Sequence, residues 1–216
     1  MMKKKQLLWT NVNTQKKLTE SLKNDEISII STDTILGLLA NITQKSFTAL
    51  NNIKGESRKN PYLTLIWPKS KLYNFVDNST ITPQLYNFLE KCWPGPVTII
   101  FKSIKNLPHF LISKERKIAL RCPNHEHLKK LLKSFNGLFS TSANKTTNPA
   151  PIHINEIDLE ILQKIKYLVI DTSKLLYKTL PSSIIDVSDR NIIKVVREGS
   201  YPISKLEEYY GTKFKK

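Results

Sequence analysis

Apolar and polar positions along this chain recur with two different spacings, and the switch between them outlines the elements. Leu18 and Leu22 fall on one helical face behind Thr14, a residue suited to an N-cap, so the pattern predicts a helix over 14–24. An apolar run at 27–30 then reads as a buried strand whose end carries Ser31, Thr32, Asp33 and Thr34. Phe47, Leu50 and Ile53 give helical spacing over 44–54, and 62–66 is strand-like. A helix over 83–92 is stopped by Trp93-Pro94-Gly95-Pro96, because proline lacks the amide donor and clashes with the preceding turn. Further strands are predicted at 97–101, 118–121, 138–141, 167–171, 183–187 and 192–197, with helices at 126–134 and 155–165. Strands recur between helices without strict alternation, which favours a mixed α/β sheet flanked by helices over a doubly wound parallel one. No internal repeat or low-complexity linker appears. The expectation is a single domain over 1–216, with a core of about 14–202 and short basic tails at both ends.

Composition narrows the classes. With 216 residues and 40% hydrophobic content the chain can bury a sizeable core. Its apolar runs are far shorter than the roughly 20 residues that span a bilayer, and its start lacks the apolar stretch of a signal peptide, so no membrane association and a cytoplasmic location are expected. Cys92 and Cys122 have no paired Cys or His spacing and read as core thiols. The four histidines have no metal-ligand spacing either, and His125 and His127 are expected on a solvated helix start. The formal charge of +16 fits a polyanionic partner such as RNA, but the basic residues are spread along the chain, as overall composition alone would produce. The basic residues number 34, of which the arginines are Arg58, Arg116, Arg121, Arg190 and Arg197. In a chain that otherwise uses lysine, arginine marks places where a planar fork for carboxylate or phosphate is needed.

Polar segments at strand ends are where side chains and amides converge on a ligand. They are residues 31–38, the cationic stretch 54–61, Ser140-Thr141-Ser142-Ala143-Asn144, and Pro181 to Asp186 together with Arg197-Glu198-Gly199. Each, taken alone, also reads as an ordinary turn or a basic surface loop. There is no Walker A loop, no Gly-x-Gly-x-x-Gly and no Gly-x-Ser-x-Gly elbow, which disfavours the standard nucleotide folds and covalent hydrolase chemistry.

In this order, and with Trp93-Pro94-Gly95-Pro96-Val97-Thr98 and Arg121-Cys122-Pro123 between them, the segments resemble the YrdC/TsaC family of threonylcarbamoyl-AMP synthases. The resemblance implies a YrdC-like twisted mixed β-sheet with a large basic central cavity. It implies an enzyme that joins L-threonine, bicarbonate and ATP into threonylcarbamoyl-AMP and pyrophosphate, with Mg2+ held mainly by the ATP phosphates. The product would pass to downstream tRNA threonylcarbamoyl transferase proteins that modify the adenosine beside the anticodon, and the basic surface would be open to tRNA. Carried over, Thr34, Arg121, Ser140 and Ser182 would hold threonine, while Lys54, Arg58, Asn60, Ser142, Asn144 and Arg197 would hold ATP. Lys54, Arg58, Ser142 and Asn144 would surround the reacting phosphates, where positioning and charge neutralisation carry the catalysis. Glu56 departs from the family pattern, which has arginine there, and Arg58 is the residue expected to supply that guanidinium. A non-catalytic RNA- or nucleotide-binding module is the alternative. Carbamoyl transfer in hydrogenase maturation would require metal-binding and acylphosphatase segments that are absent from this sequence.

Overall fold

The structure is a computed structural model that describes residues 6–55, 61–146, 148–171, 180–189 and 191–215. Its strands are β1 (Gln6–Leu8), β2 (Ser28–Ile30), β3 (Gly37–Asn41), β4 (Leu63–Leu65), β5 (Val97–Lys102), β6 (Lys117–Arg121), β7 (Leu138–Ser142), β8 (Leu168–Ile170), β9 (Ser183–Asp186) and β10 (Lys194–Arg197). The helices are α1 (Thr14–Lys23), α2 (Gln44–Lys54), α3 (Pro83–Cys92), α4 (Glu126–Leu132), α5 (Leu159–Lys164) and α6 (Ile203–Tyr210). All these strands join one sheet in the order β1-β8-β2-β3-β7-β4-β6-β5-β9-β10, with parallel and antiparallel pairs mixed as expected.

Local chemistry accounts for several boundaries. Thr43 Oγ1 accepts from the Ser46 amide (3.1 Å) at the start of α2, and Gly55 closes that helix in the left-handed region at φ 72°. Thr82 Oγ1 accepts from Leu85 N (3.1 Å) ahead of Pro83, so α3 carries proline where a missing amide costs nothing. Lys71 donates to the carbonyls of Leu132 (2.8 Å) and Phe135, satisfying the last turn of α4 and ending it at Leu132 rather than Ser134.

Other boundaries differ from the sequence reading. Asn13, not Thr14, holds the N-cap position of α1, and the Thr14 hydroxyl donates instead to the Leu8 carbonyl (2.7 Å). The expected helix over 155–165 divides into a short 3-10 turn, Ile154–Glu156, and α5, because Asp158 Oδ1 accepts from Glu160 N (2.8 Å) and restarts the helix. The sequence reading had no strand at β3, although Gly37–Asn41 pairs with both β2 and β7. The core also extends beyond 14–202: β1 pairs with β8, Trp9 is buried, and Ile203, Leu206 and Phe214 pack into the interior. His125 is buried rather than solvated, since its Nδ1 accepts from Leu128 N (3.2 Å) to cap α4 and its ring packs on Trp9. Cys92 and Cys122 are both buried and free, as expected.

Helices cover both faces of the sheet. Leu18 and Leu22 of α1 and Leu128, Leu131 and Leu132 of α4 pack with Ile30, Leu39, Leu65, Leu138 and Val169. The opposite face presents Ile29, Leu38, Phe139 and Ile99 to a second cluster that includes buried residues of α2, α3, α5 and α6. Alternation along each strand makes this division, because successive side chains point to opposite faces. No helix among the described residues is long and apolar enough to cross a membrane.

Candidate active site

On β7 the face that buries Leu138 under α1 and α4 continues through Ser140 and Ser142. There the cover ends and a cavity of about 500 Å³ opens. Its floor repeats the same period on neighbouring strands, with Leu63 on β4, Ala119 and Arg121 on β6, Thr98 and Ile100 on β5, and Ile184 on β9. Lys54, Arg121 and Arg197 line it, and its described lining contains no carboxylate. Such a wall favours a ligand that brings negative charge.

Arg121 is fixed from three sides. Its Nε donates to the Gly95 carbonyl (3.2 Å), Nη1 donates to Thr34 Oγ1 (3.1 Å), and Nη2 donates to Asp33 Oδ1. Asp33 Oδ2 in turn accepts from the Asn124 amide (2.9 Å). Burial pushes the Asp33 carboxyl up, but the Arg121 charge and the Asn124 amide outweigh it and leave the carboxyl below the ordinary aspartate value. Two details of the local sequence thereby acquire a physical purpose. The Trp93 to Pro96 turn delivers the Gly95 carbonyl, anchored by Gly95 N to the Cys122 carbonyl (2.8 Å), and a Cβ on Gly95 would meet Cys92 O at 2.6 Å. The β2–β3 turn is set by Thr32, whose Oγ1 donates to the Ile35 carbonyl (2.8 Å) and accepts from Thr34 N (3.0 Å). Of the five N–H groups of the Arg121 guanidinium, three are used in these contacts among the described residues, which leaves two for a ligand.

Lys54, the last residue of α2, reaches the exit of β7. Its ammonium donates to the carbonyls of Ser142 (3.2 Å) and Asn144 (2.5 Å) and to Asn144 Oδ1 (3.1 Å). Asn144 also donates through Nδ2 to the Asn148 carbonyl, so Lys54 and Asn144 brace one loop and hold a buried positive charge at the cavity edge.

Arg197 makes the facing wall. Its Nε and Nη2 both donate to the Ser182 carbonyl (3.1 and 2.9 Å), and no carboxylate pairs with it among the described residues. Desolvation, with the like charge of Arg121, disfavours its charged form. The end of β10 is tied down by Ser183, whose Oγ accepts from Gly199 N (2.9 Å) and Tyr201 N (3.2 Å) and donates to the Tyr201 carbonyl. A Cβ on Gly199 would lie 2.3 Å from Pro181 O and 2.6 Å from Ser182 C, so no side chain fits there.

Thr34, Lys54, Arg121, Ser140, Ser142, Asn144, Ser182 and Arg197, all singled out from sequence, line this cavity. Arg58 and Asn60, along with Glu56, lie outside the described residues. Sequence reasoning gave no role to Asp33, Thr32 or Thr98. Thr98 follows the Trp-Pro-Gly-Pro turn closely enough to have been singled out, whereas the partner of Asp33 lies far along the chain and leaves no local trace.

Residues 20–199 match the family model described as telomere recombination, which groups Sua5, YciO and YrdC proteins. A candidate threonylcarbamoyl-AMP synthase of Methanocaldococcus jannaschii is 34% identical over 201 residues, covering 91% of this chain and 92% of that one. A threonylcarbamoyl-AMP synthase of Blochmanniella floridana is 30% identical over 139 residues, 63% of this chain and 73% of its own. Among solved structures, P. abyssi Sua5 complexed with L-threonine superposes with a TM-score of 0.81 at 21% identity. It matches 94% of this chain, which spans 58% of the Sua5 length. YciO of E. coli gives a TM-score of 0.77 at 20% identity, with 93% of this chain and 97% of YciO covered. The match over 20–199 takes in most of the chain, and the protein belongs to the Sua5/YciO/YrdC family.

Proposed function

We propose that this protein is an L-threonylcarbamoyladenylate synthase acting on L-threonine, bicarbonate and ATP. The observation that carries the reading is the meeting of Lys54, Arg121, Ser142 and Arg197, from three separate strand ends and a helix end, around one cavity lined with hydroxyls. Relatives named as threonylcarbamoyl-AMP synthases support the same reading. The described residues act as one YrdC-like domain working in the cytoplasm.

Thr34, Arg121, Ser140 and Ser182 hold threonine, with its carboxylate at the Arg121 guanidinium. Lys54, Arg58, Asn60, Ser142, Asn144 and Arg197 hold the triphosphate and adenylate. The threonine amine forms a bond to the bicarbonate carbon with loss of water. A carbamate oxygen of the product then attacks the α-phosphorus, and the bond to the pyrophosphate oxygen breaks. The protein supplies no nucleophile; its residues align the reactants and offset charge as pyrophosphate departs. Among the described residues the one carboxylate at the guanidinium, Asp33, is committed to Arg121, so the described lining offers no cage for a resident cation, and Mg2+ enters as part of Mg-ATP. The adenylate then passes to a transferase that modifies tRNA adenosine, and the basic surface is available to that tRNA.

Purified protein given threonine, bicarbonate and Mg-ATP is expected to release pyrophosphate only when all are present. Absence of pyrophosphate, with RNA retained at moderate salt, would replace this reading with the non-catalytic binding module.

A further inference from the structure

Thr98 and Ser182 are 1% and 2% exposed, yet both line the cavity, and their hydroxyl oxygens lie 2.7 Å apart. Each hydroxyl carries one proton and the mutual hydrogen bond uses one of the two. One O–H of the pair is therefore left over, and no acceptor for it stands among the described residues. Arg197 Nη2 already approaches Ser182 Oγ at 3.5 Å, so what the pair still has to offer is a donor. The ligand atom that answers it is an acceptor.

Position narrows that atom further. With Ile99 opposite Leu120, the next rung of the β5–β6 register sets Thr98 beside Arg121, and both line the cavity. A spare hydroxyl proton and the two remaining Arg121 N–H groups therefore stand side by side. A carboxylate, whose two anionic oxygens accept several hydrogen bonds, answers all three donors, whereas the single oxygen of an alcohol has two lone pairs and an ammonium accepts nothing. We propose that the Thr98–Ser182 pair acts with Arg121 as the carboxylate-binding element of the amino-acid site, and that Thr98 is a determinant of amino-acid affinity. This inference rests on the synthase reading above.

Thr98→Val keeps the size and β-branching that suit a strand and removes only the hydroxyl. By calorimetry without ATP, its dissociation constant for threonine is expected to rise about tenfold or more, the loss of a hydrogen bond to a charged group. Thr98→Ser is expected to bind threonine within about twofold of the wild type, and KM for ATP is expected to be unchanged in both. Threoninol, in which CH2OH replaces the carboxylate, should bind the wild type more weakly than threonine does and lose less affinity than threonine on Thr98→Val. Wild-type threonine affinity in Thr98→Val overturns the inference and leaves the synthase reading standing, provided the wild type releases pyrophosphate. A matching rise in KM for ATP marks a structural effect and also overturns it. Should the valine variant not fold, Thr98→Ala is held to the same outcomes. A wild type that neither binds threonine nor releases pyrophosphate overturns the parent reading itself.

Discussion

Arg121 and Arg197 face the same cavity, but the fold holds them in opposite ways. Arg121 is 5% exposed, donates to three different segments and is neutralised by Asp33. Arg197 is solvent-exposed along one side and, among the described residues, hydrogen-bonds only to Ser182 and has no carboxylate partner. A buried charge has to be paired and hydrogen-bonded, because its desolvation cost is otherwise too high. A charge at a rim can wait for a ligand while water screens it. Arg121 is thus part of the architecture as well as of the cavity wall, and Arg197, on the proposed function, chiefly serves the ligand.

That contrast is sharpest in Arg121→Ala. Removing one member of a buried pair strands Asp33, and a loss of about 3–5 kcal/mol is expected, read as a melting temperature lower by roughly 6–20 °C. Threonine-dependent pyrophosphate release should vanish with it. The wall that carries Arg197 is next. Gly199→Ala forces a methyl into the 181–182 backbone and is expected to cost about 1–3 kcal/mol in denaturant unfolding. An unchanged midpoint would mean that the β9–β10 wall yields more readily than its packing suggests.

The third test uses acid. The Asp33 carboxyl lies below its ordinary value in the folded chain, so the unfolded chain takes up its proton first. This contribution to stability is present above the unfolded value of roughly 3.9 and is lost as pH falls through the lower folded value. Unfolding free energies measured from about pH 5 down to about pH 2 should therefore fall more steeply for wild type than for Asp33→Asn. Parallel profiles would show that the pair does not hold Arg121 in solution. Smallest in stability is Arg197→Ala, expected to cost roughly 1 kcal/mol or less while KM for ATP rises about tenfold. If it destabilises the protein as much as Arg121→Ala, the distinction between the two arginines fails.

Much of this site was legible before the fold was known, because its parts obey local rules. The Trp-Pro-Gly-Pro turn stops α3 by proline chemistry, and the polar run Ser140 to Asn144 behind the apolar Leu138 and Phe139 marks a strand end equipped for a ligand. The β3 strand escaped notice since Gly37 and its polar prelude read as a turn, and only pairing with β2 and β7 makes Gly37–Asn41 extended. His125 escaped too, because a histidine at a helix start is as well suited to solvent as to capping until Trp9 covers it.

The amino-acid sequence by itself determined which residue types stand at each strand end and where each element stops, since capping, turn formation and alternation act over a few neighbouring residues. Only the tertiary structure decided that Asp33 meets Arg121, that Lys54 meets Ser142 and Asn144, and that Thr98 meets Ser182. Those meetings follow from the strand order β3-β7-β4-β6-β5-β9, in which spatial neighbours are mostly distant along the chain. Such an order is set by burying two apolar faces at once, a condition on the whole chain that no local stretch contains.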